Sequence, residues 1–75
     1  MIYVGQIYKL DDGSKIVITE SSPKRVRGLY SDATPFHSDS PYKFQKAIDD
    51  KCVELISQYP SWQQAVNSMD FMEGK

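Results

Sequence analysis

Asp12 and Gly13 separate two β-rich runs near the N-terminus, and this pattern is typical of a tight β-hairpin. Such a turn needs a residue with positive φ, a conformation that glycine adopts readily and other residues resist. Alternate side chains of each strand lie on opposite faces. In the first strand Ile7 and Lys9 lie on one face and Tyr8 and Leu10 on the other. In the second strand Ile16 and Ile18 lie on one face and Val17 and Thr19 on the other. A small sheet is therefore expected, and sheets of this size mostly bind rather than catalyse.

Length and composition predict one small globular domain spanning residues 1–75. Hydrophobic residues make up 40% of the chain and charged residues 25%, which is ordinary for a folded domain and argues against disorder. The formal net charge is -1, so no overall positive field attracts a polyanion. So small a core gives little stability, and self-association into a homo-oligomer is one way to add to it.

The cellular location is predicted from cysteine usage and from the apolar segments. Cys52 is the single cysteine, so an intrachain disulfide or a cysteine-based zinc site is excluded. The N-terminal residues lack the basic and then apolar pattern of a signal peptide, and no apolar run approaches the length of a membrane span. A cytoplasmic protein without membrane association is expected, in the host cell cytoplasm if the chain is phage-encoded.

Two further strands are predicted after the hairpin. The first covers residues 25–31 and contains Gly28, which inside a strand indicates a bulge or a close backbone approach. Its alternation places Val26 and Tyr30 on one face. The second is a short edge strand over residues 34–37.

The segment that follows has two interpretations. Ser40 and Pro41 predict a helix start, with Ser40 as the N-cap. Apolar residues at helical spacing favour one helix over residues 41–59. The acidic pair Asp49 and Asp50 opposes the dipole at a helix C-terminus, and Val53 is β-branched. These features favour a helix that stops near residue 50, followed by a closing strand over residues 52–56, and we expect this second arrangement.

A C-terminal helix is predicted after Pro60. Ser61 and Gln64 match a capping box, and Trp62, Val66 and Met69 fall on one face of the helix. This face is expected to cover the sheet. The fold class is thus α+β: a small, strongly bent antiparallel sheet with a short helix before its last strand and a C-terminal helix.

Several segments of the chain together carry a family resemblance. They are the Gly5-containing first strand, Asp12-Gly13, Val26-x-Gly28-x-Tyr30, Phe44-x-x-x-Ile48, Val53-Glu54-Leu55-Ile56 and residues 59–68. With these segments the chain resembles short open reading frames of phages and prophages of Gram-positive bacteria, some of which form SH3-like barrels. The resemblance implies an SH3-like barrel and a viral accessory protein without known chemistry. A glycine expected between the helix and the closing strand is replaced by Asp50 and Lys51.

No catalytic, metal or cofactor site is expected. His37 is the single histidine and is interpreted as a solvated loop residue, because a metal site needs three or four converging ligands. Cys52 lies in an apolar run, where burial would suppress its thiolate, so a buried structural cysteine is predicted. The pairs Asp11-Asp12 and Asp49-Asp50 suit turns and helix ends better than acid–base catalysis. A hydrolase using Cys52 and His37 is the enzyme hypothesis that these arguments oppose.

Two binding hypotheses follow. The preferred one is non-enzymatic binding of a host or phage protein by surface occlusion or scaffolding. Phe71 and Met72 lie beyond the regular helical pattern and are expected to be exposed, as interface anchors often are. The alternative is nucleic-acid binding by a basic patch with Tyr3, Tyr8 and Tyr30 as stacking residues. The protein contacts are predicted at Tyr30, Trp62, Phe71 and Met72, and the basic patch at Lys24, Arg25 and Arg27.

Overall fold

The computed structural model describes residues 2–68 and residue 71. These residues form five strands and two helices, in the order expected for an α+β domain with a helix before the last strand. The elements are β1 (Gln6–Leu10), β2 (Lys15–Ser21), β3 (Val26–Tyr30), β4 (Pro35–Ser38), α1 (Pro41–Asp49), β5 (Val53–Gln58) and α2 (Trp62–Val66).

The five strands form one antiparallel sheet in the order β4-β3-β2-β1-β5. The first four strands are consecutive neighbours, and α1 then carries the chain across the sheet so that β5 pairs with β1. The predicted edge position of β4 is confirmed. Because β4 and β5 are not paired with each other, the described sheet is open, and the predicted closed SH3-like barrel is not confirmed.

The sheet is buried on both faces at β1 and β2, which contribute residues to two separate core clusters. On one face, α1 contributes Phe44, whose ring meets Tyr8 edge-on at 5.4 Å between centroids. On the other face, α2 contributes Ala65 against Ile7 and Val17. The α1 face contains Tyr8, Ile16, Ile18, Val26, Phe44 and Val53, and the α2 face contains Ile7, Val17, Ala65 and Phe71.

The predicted close approach at Gly28 is confirmed. Gly28 pairs with Ile18, beside a register shift between β2 and β3. A Cβ atom at position 28 would lie far inside van der Waals contact with the carbonyl oxygen of Val17. Only glycine therefore fits at this point of β3 without a backbone shift.

The predicted hairpin turn is present between β1 and β2. The Gly13 N–H donates to the Leu10 carbonyl oxygen at 3.0 Å, and the Leu10 N–H donates to the Ser14 carbonyl oxygen at 2.7 Å. Gly13 has a φ of 91°, and the Ser14 N–H donates to Asp12 Oδ1 at 2.9 Å. This pattern is a type I turn followed by a left-handed residue.

The same turn recurs between β3 and β4 with alanine at the left-handed position. Here the Ala33 N–H donates to the Tyr30 carbonyl oxygen at 2.9 Å, and the Tyr30 N–H donates to the Thr34 carbonyl oxygen at 2.7 Å. The Thr34 N–H donates to Asp32 Oδ1 at 3.0 Å. Ala33 has a φ of 72°, which disfavours any residue with a Cβ.

The helix over residues 41–49 ends where the second interpretation of the sequence predicts. Ser40 caps its start by accepting a hydrogen bond from the Lys43 N–H at 3.2 Å. At its end the Cys52 N–H donates to the Ala47 carbonyl and the Lys51 N–H to the Ile48 carbonyl. This pair of bonds is a Schellman motif, and Lys51, with a φ of 66°, occupies the position that glycine usually fills.

The second helix begins at the predicted cap. The Ser61 hydroxyl accepts a hydrogen bond from the Gln64 N–H at 3.2 Å. Ala65 is fully buried, and Trp62 and Val66 pack partly buried against the same cluster. Neither helix in the described part of the chain is long and apolar enough to cross a membrane.

The two matched turns predict opposite effects of exchanging glycine and alanine. Ala33→Gly is expected to raise the free energy of unfolding by about 0.5 kcal/mol, because relief of the left-handed strain exceeds the added chain entropy of glycine. Gly13→Ala is expected to lower it by about 1 kcal/mol. Urea unfolding measures both. A loss of stability in Ala33→Gly would contradict the left-handed conformation of residue 33.

Gly28→Ala is expected to lower the free energy of unfolding by about 2 kcal/mol or more, because the added methyl group forces the two backbones apart. Gly13→Ala is the matched control, since a Cβ at position 13 meets no atom within 4 Å. The loss in urea unfolding is expected to be larger at position 28 than at position 13. Equal losses would show that β2 and β3 are not so closely apposed.

Candidate functional site

The four residues predicted to contact a protein partner do not form one exposed patch. Phe71 is 3% exposed and belongs to the core cluster under α2, so the prediction that it is exposed is wrong. The α2 face accepts Phe71 beside Ile7, Val17 and Ala65, which sequence spacing alone does not reveal. Met72 lies outside the described residues.

Tyr30 and Trp62 are partly buried and lie on opposite faces of the sheet. Tyr30 packs on the α1 side, where its ring meets Phe36 edge-on at 5.9 Å between centroids. Trp62 packs on the α2 side against the cluster of Ile7 and Val17. The structure therefore does not bring these two predicted contact residues together.

The predicted basic patch contains an acidic residue. Lys24, Arg25 and Arg27 are exposed, at the turn before β3 and on β3 itself. The Nε atoms of Arg25 and Arg27 each lie 3.8 Å from a carboxylate oxygen of Glu20. One of the three positive charges is thus offset within the patch itself.

Tyr8 is unavailable for base stacking because it is 1% exposed. Its hydroxyl donates to Gln6 Oε1 at 2.6 Å, and the Tyr3 N–H donates to the same oxygen at 2.7 Å. Gln6 is itself 3% exposed. The prediction that Tyr8 belongs to a stacking surface is therefore wrong, because its side chain packs in the core cluster under α1.

Cys52 and His37 lie at opposite edges of the sheet. Cys52 is exposed just before β5, so its predicted burial is wrong: the segment after α1 turns outward at the Schellman motif. His37 is on β4, where its Nε2 atom lies 2.7 Å from Asp39 Oδ1. Three strands separate β4 from β5. This separation, and not burial, is the structural argument against a Cys52–His37 pair.

Acidic groups at the two matched turns are kept ionised by local hydrogen bonds. Bonds from the backbone N–H and hydroxyl of Ser14 hold the pKa of Asp12 below its ordinary value. The hydroxyl and backbone N–H of Thr34 do the same for the pKa of Asp32. Within residues 2–68 and residue 71, no group of three or more His, Cys, Asp or Glu side chains is placed to hold a metal ion.

The strongest candidate for a binding site is at the β5 edge of the sheet. Leu55 is 44% exposed and Ile56 is 36% exposed, although both are apolar and belong to a strand. Leu55 also lines a cavity of about 360 Å³. We call this region the β5 edge surface; it consists of Ile48, Lys51, Val53, Glu54, Leu55 and Ile56.

Strand register explains why Ile56 is exposed. Leu55 pairs with Tyr8 and Ser57 pairs with Ile7, so β1 has no residue opposite Ile56. Such a bulge leaves one side chain out of the regular alternation. The sequence does not reveal this surface, because a closing strand of a barrel, as predicted over residues 52–56, would be paired on both sides.

Comparisons with models of known protein families, with curated protein sequences and with solved structures give no match. Function is therefore inferred from the geometry of the chain itself.

Ionisation of Tyr8 is expected to destabilise the fold at high pH. Burial raises the pKa of Tyr8 from 10.0 to about 12, so the unfolded chain loses the phenol proton first. The stabilisation is full below the unfolded pKa near 10.0 and is lost as the pH rises through about 12. Urea unfolding from neutral pH to this range measures the loss.

Tyr8→Phe is the control for this pH dependence. It is expected to be about 1 kcal/mol less stable at neutral pH, because the hydrogen bond to Gln6 is removed. All other side chains are common to both proteins, so the difference between their pH profiles isolates Tyr8. Parallel profiles would contradict burial of the phenol.

Proposed function

We propose that this chain is a non-enzymatic protein-binding factor whose contact surface is the β5 edge surface. The observation that carries the proposal is a six-residue edge strand with exposed Leu55 and Ile56, of which Leu55 lines a cavity with Ile48 and Val53. Exposed apolar side chains at the edge of a sheet favour pairing with another strand. The action is occlusion or scaffolding of the bound protein.

The opposite edge of the sheet is much less suited to strand addition. β4 has four residues, begins with Pro35 and carries the exposed His37 beside Asp39. A short strand, proline and charged side chains are features that protect natural sheet edges. β5 has six residues without proline, and its one charged residue is Glu54. The contrast between the edges favours β5 as the binding edge.

The resemblance to phage and prophage proteins supports the same role. A phage- or prophage-encoded accessory factor would act on a host or phage protein, which requires a binding surface and no reaction centre. The helix α1 precedes β5, the last strand of the sheet, as expected of an α+β domain of this kind. Tyr30 and Trp62 remain partly exposed and are secondary contact candidates.

Nucleic-acid binding through Lys24, Arg25 and Arg27 is the alternative. Its support is that the three cations lie close together at the start of β3 and are exposed. Glu20 weakens it, because this carboxylate lies 3.8 Å from both arginines. Phosphate-driven binding weakens steeply with salt, whereas apolar binding does not.

Leu55→Lys is expected to abolish partner capture by the immobilised protein. Wild-type protein, Leu55→Lys and Tyr42→Lys are each exposed to a lysate of the source organism, and retained proteins are identified by mass spectrometry. Tyr42 is 78% exposed and lies on α1, so this control makes the same charge change at an exposed aromatic residue outside the β5 edge surface. A partner is expected on the wild type and the control, at low and high salt.

The same three proteins, together with an Arg25→Ala, Arg27→Ala double variant, separate the two hypotheses. Identical retention on all of them would overturn the proposal. Retention of nucleic acid that survives Leu55→Lys, falls steeply with salt and is lost in Arg25→Ala with Arg27→Ala would establish the alternative instead.

A further inference from the structure

We infer that the β5 edge surface pairs with the same surface of a second copy of this chain, through antiparallel alignment of the two β5 strands about Leu55. The inference rests on the proposed function, because it names the partner of the same surface. The product is a dimer with one continuous ten-stranded sheet.

Backbone geometry permits this alignment. β1 pairs with one side of β5, and the strand order leaves the other side of β5 at the edge of the described sheet. In an antiparallel pair of identical strands, a two-fold axis perpendicular to the sheet relates the copies, so each face of one sheet continues into the same face of the other. The two β5 strands then form backbone hydrogen bonds with each other.

The side chains on the α1 face are compatible with a two-fold axis at Leu55. Leu55 pairs with Tyr8 and is on the face that α1 partly covers, beside Ile48 and Val53. An axis at Leu55 places this side chain against Leu55 of the second copy. Each copy thereby covers part of the apolar lining of the other's cavity, which burial of apolar surface favours.

Charges around the β5 edge surface are compatible with a second copy. The cavity lining contains one cation, Lys51, and one anion, Glu54, so the surface attracts neither a strongly acidic nor a strongly basic partner. With the axis at Leu55, Glu54 lies opposite Ile56 of the second copy, and the two Glu54 carboxylates are not directly opposed. The net charge of -1 adds little repulsion between copies.

The two edges of the sheet favour a closed dimer. Pairing of β5 with β4 of the next copy would repeat without closing and give an open filament. β4 is short and begins with Pro35, which makes it a poor acceptor of another strand. Pairing of β5 with β5 uses the exposed apolar edge of each copy and leaves the two protected β4 edges at the ends.

Sedimentation equilibrium tests the dimer with wild-type protein, Leu55→Lys and Tyr42→Lys. The wild type and Tyr42→Lys are expected to show the same monomer–dimer equilibrium. Leu55→Lys is expected to raise the dissociation constant by about tenfold or more, because each dimer would bury two lysines at the axis. Circular dichroism checks that all three proteins are folded.

Disulfide trapping tests the alignment independently of stability. In a Cys52→Ser background, Leu55→Cys is expected to form a covalent dimer with oxidised glutathione, because residues opposite each other at the axis have Cβ atoms about 5 Å apart. Tyr42→Cys in the same background is the control and is expected to remain monomeric under denaturing electrophoresis.

The outcomes distinguish this inference from the proposed function. A wild type that stays monomeric at high concentration overturns the dimer; if its lysate partner is still lost with Leu55→Lys, the proposed function stands. A dimer that is unchanged by Leu55→Lys and is not trapped at residue 55 overturns the alignment. A dimer that is weakened by Leu55→Lys and trapped at residue 55 supports it.

Discussion

Burial of β1 and β2 on both faces is the constraint on which the rest of this structure depends. Tyr8 and Ile16 pack under α1 while Ile7 and Val17 pack under α2, so neither helix can be removed without exposing core residues. The helices are short: nine residues of α1 span about 13 Å. Leu55, at the β5 edge of the described sheet, remains 44% exposed.

Much of the fold is predictable because its determinants are local. Alternation in β1 and β2 predicts strands with two distinct faces, and Gly13 and Ser40 mark a turn and a helix start through their backbone and capping chemistry. The end of α1 is less evident in the sequence, since the left-handed position that glycine usually signals is occupied by Lys51. The features of the sequence that indicate this helix end are the adjacent Asp49 and Asp50 and the β-branched Val53.

The candidate site was not predictable, because it depends on which strands are neighbours. The apolar run around Leu55 has the same sequence whether β5 closes a barrel or forms an open edge, and only the sheet order decides its exposure. The predictions that Cys52 is buried and that Phe71 is exposed are wrong for the same reason. One lies on a turn that faces outward, and the other enters a cluster built from distant strands.

On the proposed pairing, folding and association are linked. Ala33 and Lys51 hold left-handed backbone conformations that cost about 1–2 kcal/mol each, in a domain with only a few kcal/mol of stability. Burial of Leu55 against a second copy would offset part of this conformational cost, because burial of apolar surface contributes about 25 cal/mol per Å². A partner that binds only the folded chain raises its stability by mass action, so the edge that exposes apolar residues is also where association can stabilise the fold.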